Sequence, residues 1–242
     1  MVDTAPNAEL LSSLGRLARG LSALFWGLPL ALVICVQTAK GDWLRPLGVL
    51  PPAAATGLLF YALTLLAHFQ KQERVWRAAL DRARFISLIN FGLSPFLFWW
   101  SKIPSNSFYN VIMNVVILTG LLFLFSLNPM LQRLTAMLPD EALRQETQLF
   151  TRLSRYLLLG TLMLLALYLF VTRVNPLFLD RFLELMTRLT PFHQQALGLK
   201  IILENGGLWL VLILVLLPVA MTMALLWKIK EAILTSVFGP EH

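Results

Sequence analysis

The chain has 242 residues, 57% of them hydrophobic and only 14% charged, with a mean hydropathy of +0.71. A soluble domain is typically about 45–50% apolar and about 25% charged, so this composition excludes an ordinary water-facing surface. Twenty Lys and Arg against 13 Asp and Glu leave a formal charge of +7, but the bases flank apolar runs as membrane topology requires, and without a helix-turn-helix, RNP-like or zinc-finger pattern no nucleic acid partner is expected.

Residues 1–20 read as an N-terminal amphipathic segment. Leu10, Leu14, Leu17 and Leu21 recur at helical spacing, with Ser13, Arg16 and Arg19 between them, which suits a helix in the headgroup region. A signal peptide would use the same arginines and the run Leu21–Val36. That run is long and no small-x-small cleavage site follows it, so an uncleaved first helix is expected. Residues 21–242 read as one membrane domain with spans at 21–39, 49–69, 85–100, 108–127, 156–172 and 207–227. A hydrocarbon core of about 30 Å needs about 20 apolar residues. The third run is shorter but carries no charge. Lipid satisfies no backbone group, so each run is a helix or part of a closed barrel, and continuous rather than alternating hydrophobicity selects the helix. The expected fold class is all-α: a polytopic membrane protein of about six transmembrane helices with amphipathic interfacial helices.

Between the second and third spans lies a basic connection, 70–84, with Lys71, Arg74, Arg77, Arg82 and Arg84 around Trp76. These five are candidate contacts for anionic lipid headgroups, each worth about 1 kcal/mol near an anionic leaflet; plain topology anchoring uses the same residues. In the connection 128–155, Pro129 opens a stretch with Met130, Leu134, Met137 and Leu138 on one face. Pro139-Asp140-Glu141 then reads as a new helix start, which Leu143, Phe150, Leu153 and Leu157 carry into the fifth span. In 173–206, Asn175-Pro176 and Thr190-Pro191 mark two further helix starts. Thirteen of the twenty bases fall on one side of this arrangement and seven on the other, placing both termini in the cytoplasm, with a bacterial inner membrane as the expected location. Trp43, Trp99, Trp100, Tyr109 and Trp209 then lie near the outer boundary, and Trp26, Tyr156 and Trp227 near the inner one.

Catalytic chemistry finds no foothold. His68, His193 and His242 show no metal-ligand spacing, Cys35 stands alone, and no phosphate loop, nucleophile elbow or dinucleotide fingerprint occurs. No catalytic, cofactor-binding or metal-binding residue is assigned, and no enzyme activity is expected. The central parts of the spans lack Asp, Glu, Lys and Arg, which argues against a proton-coupled carrier. What remains is a candidate polar midplane cluster: Asn90, Ser94, Pro95, Asn114 and Pro218. Each proline lacks the N–H that the carbonyl four residues earlier needs, so Pro95 frees Phe91 and Pro218 frees Leu214. Paired interruptions in corresponding helices point to a transport site, although prolines are common in membrane helices and the two segments do not resemble each other. The short link Ser101–Ser107 makes the third and fourth spans antiparallel neighbours. Matching their depths predicts a hydrogen bond from Asn114 to Ser94 or to the Phe91 carbonyl. Ala53 with Gly57 and Ala220 with Ala224 allow close helix approach. The expected function is a non-catalytic subunit or scaffold of a membrane assembly. The alternative is a transporter or permease component for a neutral or weakly polar cargo. Expected partners are the lipid bilayer, anionic headgroups on the cytoplasmic side, and a membrane protein or a second copy of the chain.

Overall fold

The computed structural model describes the backbone of residues 5–69, 73–103, 105–137, 141–174 and 214–235. It comprises α1 (Ala5–Lys40), a 3-10 turn (Arg45–Leu47), α2 (Leu50–Leu66), α3 (Arg74–Leu93), α4 (Pro95–Lys102), α5 (Ser107–Ala136), α6 (Glu141–Val174) and α7 (214–235). Among the described residues there is no strand. Among the described residues, three helical stretches are long and apolar enough to cross a membrane: Ser12–Lys40, Ser107–Ala136 and Arg144–Leu167. Six spans were expected. Of the other three, α2 is apolar but has 17 residues. The third is divided between α3 and α4, and the first residues of the sixth lie outside the described part. The chain forms two compact units, Met1–Leu153 with Val219–His242, and Ser154–Pro218.

In the first unit α1 runs unbroken from Ala5 to Lys40 through Pro29, so the backbone has no boundary at residue 20. Gly48, at φ 61, takes a left-handed conformation that a side chain would strain and leads into the Pro51-Pro52 start of α2. Two glycines then set how closely α1 and α2 pack. A Cβ on Gly20 would strike the Leu66 side chain and lie 3.1 Å from the Ala62 carbonyl oxygen; one on Gly27 would lie 2.9 Å from a Leu59 methyl. As the number rises along α1 it falls along α2, so the helices are antiparallel. Leu17, Leu21, Leu24, Leu28 and Ala31 of α1 and Ala55, Leu59, Ala62, Leu63 and Leu66 of α2 are all buried. Gly57 serves a different neighbour, since its absent Cβ leaves room for the Phe91 ring of α3 at 3.3 Å.

The segment expected as a basic connection is helical from Arg74 onward, after Glu73 in an extended conformation. Trp76, Leu80, Ala83 and Ser87 are buried at spacings of four, three and four, and Ser94 and Leu97 continue the stripe beyond the end of α3. Hydropathy undervalues such a helix because half its surface is charged; the apolar period makes it. Ser94 keeps helical angles, φ −57 and ψ −33, so the stripe crosses the break in register. A second correction concerns Pro129, which opens no new segment: α5 runs through it to Ala136. Asn128, Met130, Leu131, Leu134 and Thr135 are all buried around it, and their packing outweighs the lost backbone bond. α6 begins at Glu141 with that acid in its first turn, where a helix start was expected. The expected helix starts at Asn175 and Thr190 lie outside the described residues.

Substituting Gly20 by Ala should lower the stability of the detergent-solubilised protein by about 1–3 kcal/mol, through overpacking against Leu66 and Ala62. Gly15, also on α1, has nothing within 4 Å of its missing Cβ, so Gly15→Ala should be neutral or gain up to about 1 kcal/mol of helix propensity. Chemical or thermal unfolding measures both. Equal behaviour of the two variants would contradict the close α1–α2 contact.

Candidate functional site at the proline breaks

Pro95 begins α4 without an N–H, leaving the Phe91 carbonyl without its usual donor. The Ser94 hydroxyl donates to that carbonyl at 2.8 Å, while the Ser94 amide still donates to Asn90 at 2.9 Å. Ser94 is buried, so the hydroxyl supplies the donor where water does not. One turn earlier, the Asn90 side-chain amide donates to the Thr119 carbonyl of α5 at 3.3 Å. Toward the far end of α4, the Trp100 indole donates to the Asn110 side-chain oxygen at 2.7 Å. Asn90 thus meets Thr119 and Trp100 meets Asn110, making α3–α4 and α5 antiparallel neighbours as the short link requires.

These two pairs put Ser94 level with about Val115 on α5, close to the depth matching of the sequence. The expected bond from Asn114 is nevertheless not formed. Asn114 is half-buried, and the Phe91 carbonyl is taken by the serine beside the proline. A bond three residues back along one helix orders nothing new, whereas a bond from α5 must also fix that helix's rotation, which depth alone does not set.

The second break lies in the unit Ser154–Pro218. Pro218 is buried within α7 and withholds a donor from Leu214. Thr161 of α6 supplies one. Its hydroxyl oxygen is 2.8 Å from the Leu157 carbonyl and 3.3 Å from the Leu214 carbonyl, so a single hydroxyl proton is shared by the two. Sequence reasoning named Pro218 and Leu214 but not Thr161. The available signal was a threonine near the middle of the fifth apolar run, the residue type able to reach a freed carbonyl. The midplane cluster is thereby divided: Asn90, Ser94, Pro95 and Asn114 belong to one unit and Pro218 to the other.

The basic candidates fall on α3, apart from Lys71, which lies outside the described residues. Arg74, Arg77 and Arg82 are exposed. Arg84 is half-buried, with one terminal nitrogen 3.6 Å from Asp81, its guanidinium carbon 6.0 Å from the centre of the Phe60 ring, and its buried Nε unpaired. Trp76 does not stand among these bases at the surface: it is fully buried and donates its indole N–H to the Phe69 carbonyl at 3.2 Å. His68 is exposed, with Nδ1 3.1 Å from the Thr64 carbonyl. Among the described residues no group of three His, Cys, Asp or Glu is placed to hold a metal ion.

Chemically, Ser94 and Thr161 each donate to backbone carbonyls, and among the described residues neither touches a base that would activate it as a nucleophile. The arrangement completes helices and joins them. The chain matches no known family model, no curated protein and no solved structure.

If Thr161 satisfies the carbonyl that Pro218 frees, the two positions are coupled. Thr161→Val should cost about 0.6 kcal/mol, the average for polar contacts between membrane helices. In a Pro218→Ala background the backbone N–H is restored to Leu214, and most of that cost should vanish. A double-mutant cycle read by unfolding in mixed micelles measures the coupling; strictly additive effects would contradict it.

Proposed function

We propose that the chain is a multi-pass integral membrane protein acting as a non-catalytic subunit or scaffold of a membrane assembly. The observation that carries this reading is the state of the polar groups at the breaks. Ser94 and Thr161 spend their hydroxyls on the Phe91 and Leu214 carbonyls, and Asn90 spends its amide on Thr119. A cargo site keeps such donors available for the solute, whereas a packed framework uses them to finish its own backbone.

Six crossings, cytoplasmic termini and a bacterial inner membrane belong to the same proposal. The three membrane-length helices among the described residues support membrane crossing as such, and the uneven distribution of bases supports the orientation. Partner chains or a second copy would dock on exposed apolar faces such as that of α6, where Leu149, Tyr156 and Met163 are all more than half exposed. One observation favours the alternative of a transporter or permease component for a neutral or weakly polar cargo. Half-buried Asn114, level with the Pro95 break, is not used to close it.

Purification of the tagged full chain in mild detergent, with mass measurement of the intact particle, tests the reading. The expected result is a stoichiometric assembly, either with a companion membrane protein or between copies of the chain. A monomer that supports saturable uptake of a neutral solute into proteoliposomes, with uptake abolished by Asn114→Leu, would overturn it in favour of transport.

A further inference from the structure

The faces of α2 and α3 change chemistry together along their length. Three contacts fix their register: the Trp76 indole on the Phe69 carbonyl, the Arg84 guanidinium over the Phe60 ring, and the Phe91 ring at Gly57. The helices are therefore antiparallel, with Arg84 level with Phe60 and Arg77 level with about His68. Up to Arg84 the outward residues of α3 are largely charged. From Phe85 onward they are apolar: Phe85 is 65% exposed, Leu88 48% and Phe91 41%. On α2, Tyr61 is 57% exposed at the same level. An exposed tyrosine beside an abrupt change from arginine to phenylalanine marks headgroup depth in a protein that sits in lipid.

Arg77 and Arg84 are seven residues apart, so they lie on one stripe of α3 about 10 Å from each other. Two long side chains can converge on one anion across that distance. Asp81 stands between them, but its contact with Arg84 is long at 3.6 Å and the aspartate is 64% exposed, so solvent weakens the pair. No acid other than Asp81 reaches the Arg84 guanidinium within ion-pair distance among the described residues. Arg82 and Arg74 lie on other flanks of the helix.

We propose that the groove between α2 and α3 binds the phosphate of an anionic membrane phospholipid, held by Arg84 and Arg77. The acyl chains lie along Phe85, Leu88 and Phe91, with Tyr61 beside the phosphate at headgroup depth. A phospholipid is the occupant that matches both parts of this surface, a cationic end and an apolar strip aligned along one groove. The proposal rests on the membrane reading above and narrows the five basic candidates to two.

The full chain is reconstituted in nanodiscs of equimolar phosphatidylglycerol and phosphatidylcholine, released, and examined by native mass spectrometry. Preferential retention of phosphatidylglycerol is expected. Arg84→Gln and Arg77→Gln should each lower it about fivefold, the value of one base near an anionic surface. Arg84→Lys should keep most of the retention, separating lost charge from lost fold. Arg133→Gln removes an exposed base at the end of α5 and should leave retention unchanged. Equal retention of the two lipids, wild-type retention in the Arg77 and Arg84 glutamine variants, or an equal loss in Arg133→Gln would overturn the proposal. Alkaline carbonate extraction separates the two levels of the argument. A chain stripped from membranes loses the membrane reading as well, whereas an integral chain without lipid preference loses only this site.

Discussion

A backbone carbonyl without a donor inside a bilayer costs several kcal/mol, because lipid offers nothing to replace the missing bond. Four prolines lie within or at the start of the described helices at positions that create this problem: Pro29, Pro95, Pro129 and Pro218. At two of them the remedy is visible. Ser94 repairs its own helix by donating three residues back. Thr161 repairs a neighbouring helix and in doing so ties α6 to α7 within the unit Ser154–Pro218. The first remedy leaves rotation and partner choice free. The second fixes both, since the hydroxyl must face the break. Polar residues in these helices are thus read best as completions of the backbone, and the proposed framework role follows from that use.

Helices apolar enough to cross a membrane would pack under the same constraint. Between helices in lipid there is no water to expel, so association depends on close approach and dispersion. Gly20 and Gly27 of α1 sit seven residues apart and admit Leu66 and Leu59 of α2 against the bare backbone. On its other side α2 admits Phe91 at Gly57. The buried stripe of α3 and α4 passes the proline without losing register because Ser94 keeps a helical conformation. Capping the break and keeping the stripe continuous are one event, achieved by a single side chain.

Much of this was legible in the sequence. The apolar runs marked the helices, Glu141 marked the start of α6, and the prolines identified by arithmetic which carbonyls would be freed. The antiparallel pairing of the third and fourth runs followed from a link too short for anything else. Rotation was not legible. Depth could place Asn114 beside Ser94, but it could not show that the serine turns back on its own helix. Thr161 was overlooked because its role depends on which face of α6 meets α7, a tertiary fact. The charge of Arg74–Arg84 lowers its hydropathy and hides a helix that a hydropathy window scores as a connection. The helix shows in the period of Trp76, Leu80, Ala83 and Ser87, which a count by face rather than by window detects. Pro129 was given too much weight as a breaker, because local propensity yields to a stripe as fully buried as Met130, Leu131 and Leu134.

Side-chain hydroxyls supply the donors that Pro95 and Pro218 remove. Isotope-edited infrared spectroscopy observes this bond itself. A carbonyl carbon label on Phe91, in the chain reconstituted in lipid, reports the hydrogen bonding of that one group. A bonded amide frequency is expected in the wild type and a shift to higher frequency in Ser94→Ala, with a label on Phe125 of α5 unmoved by the same substitution. An unchanged Phe91 frequency in Ser94→Ala would contradict it.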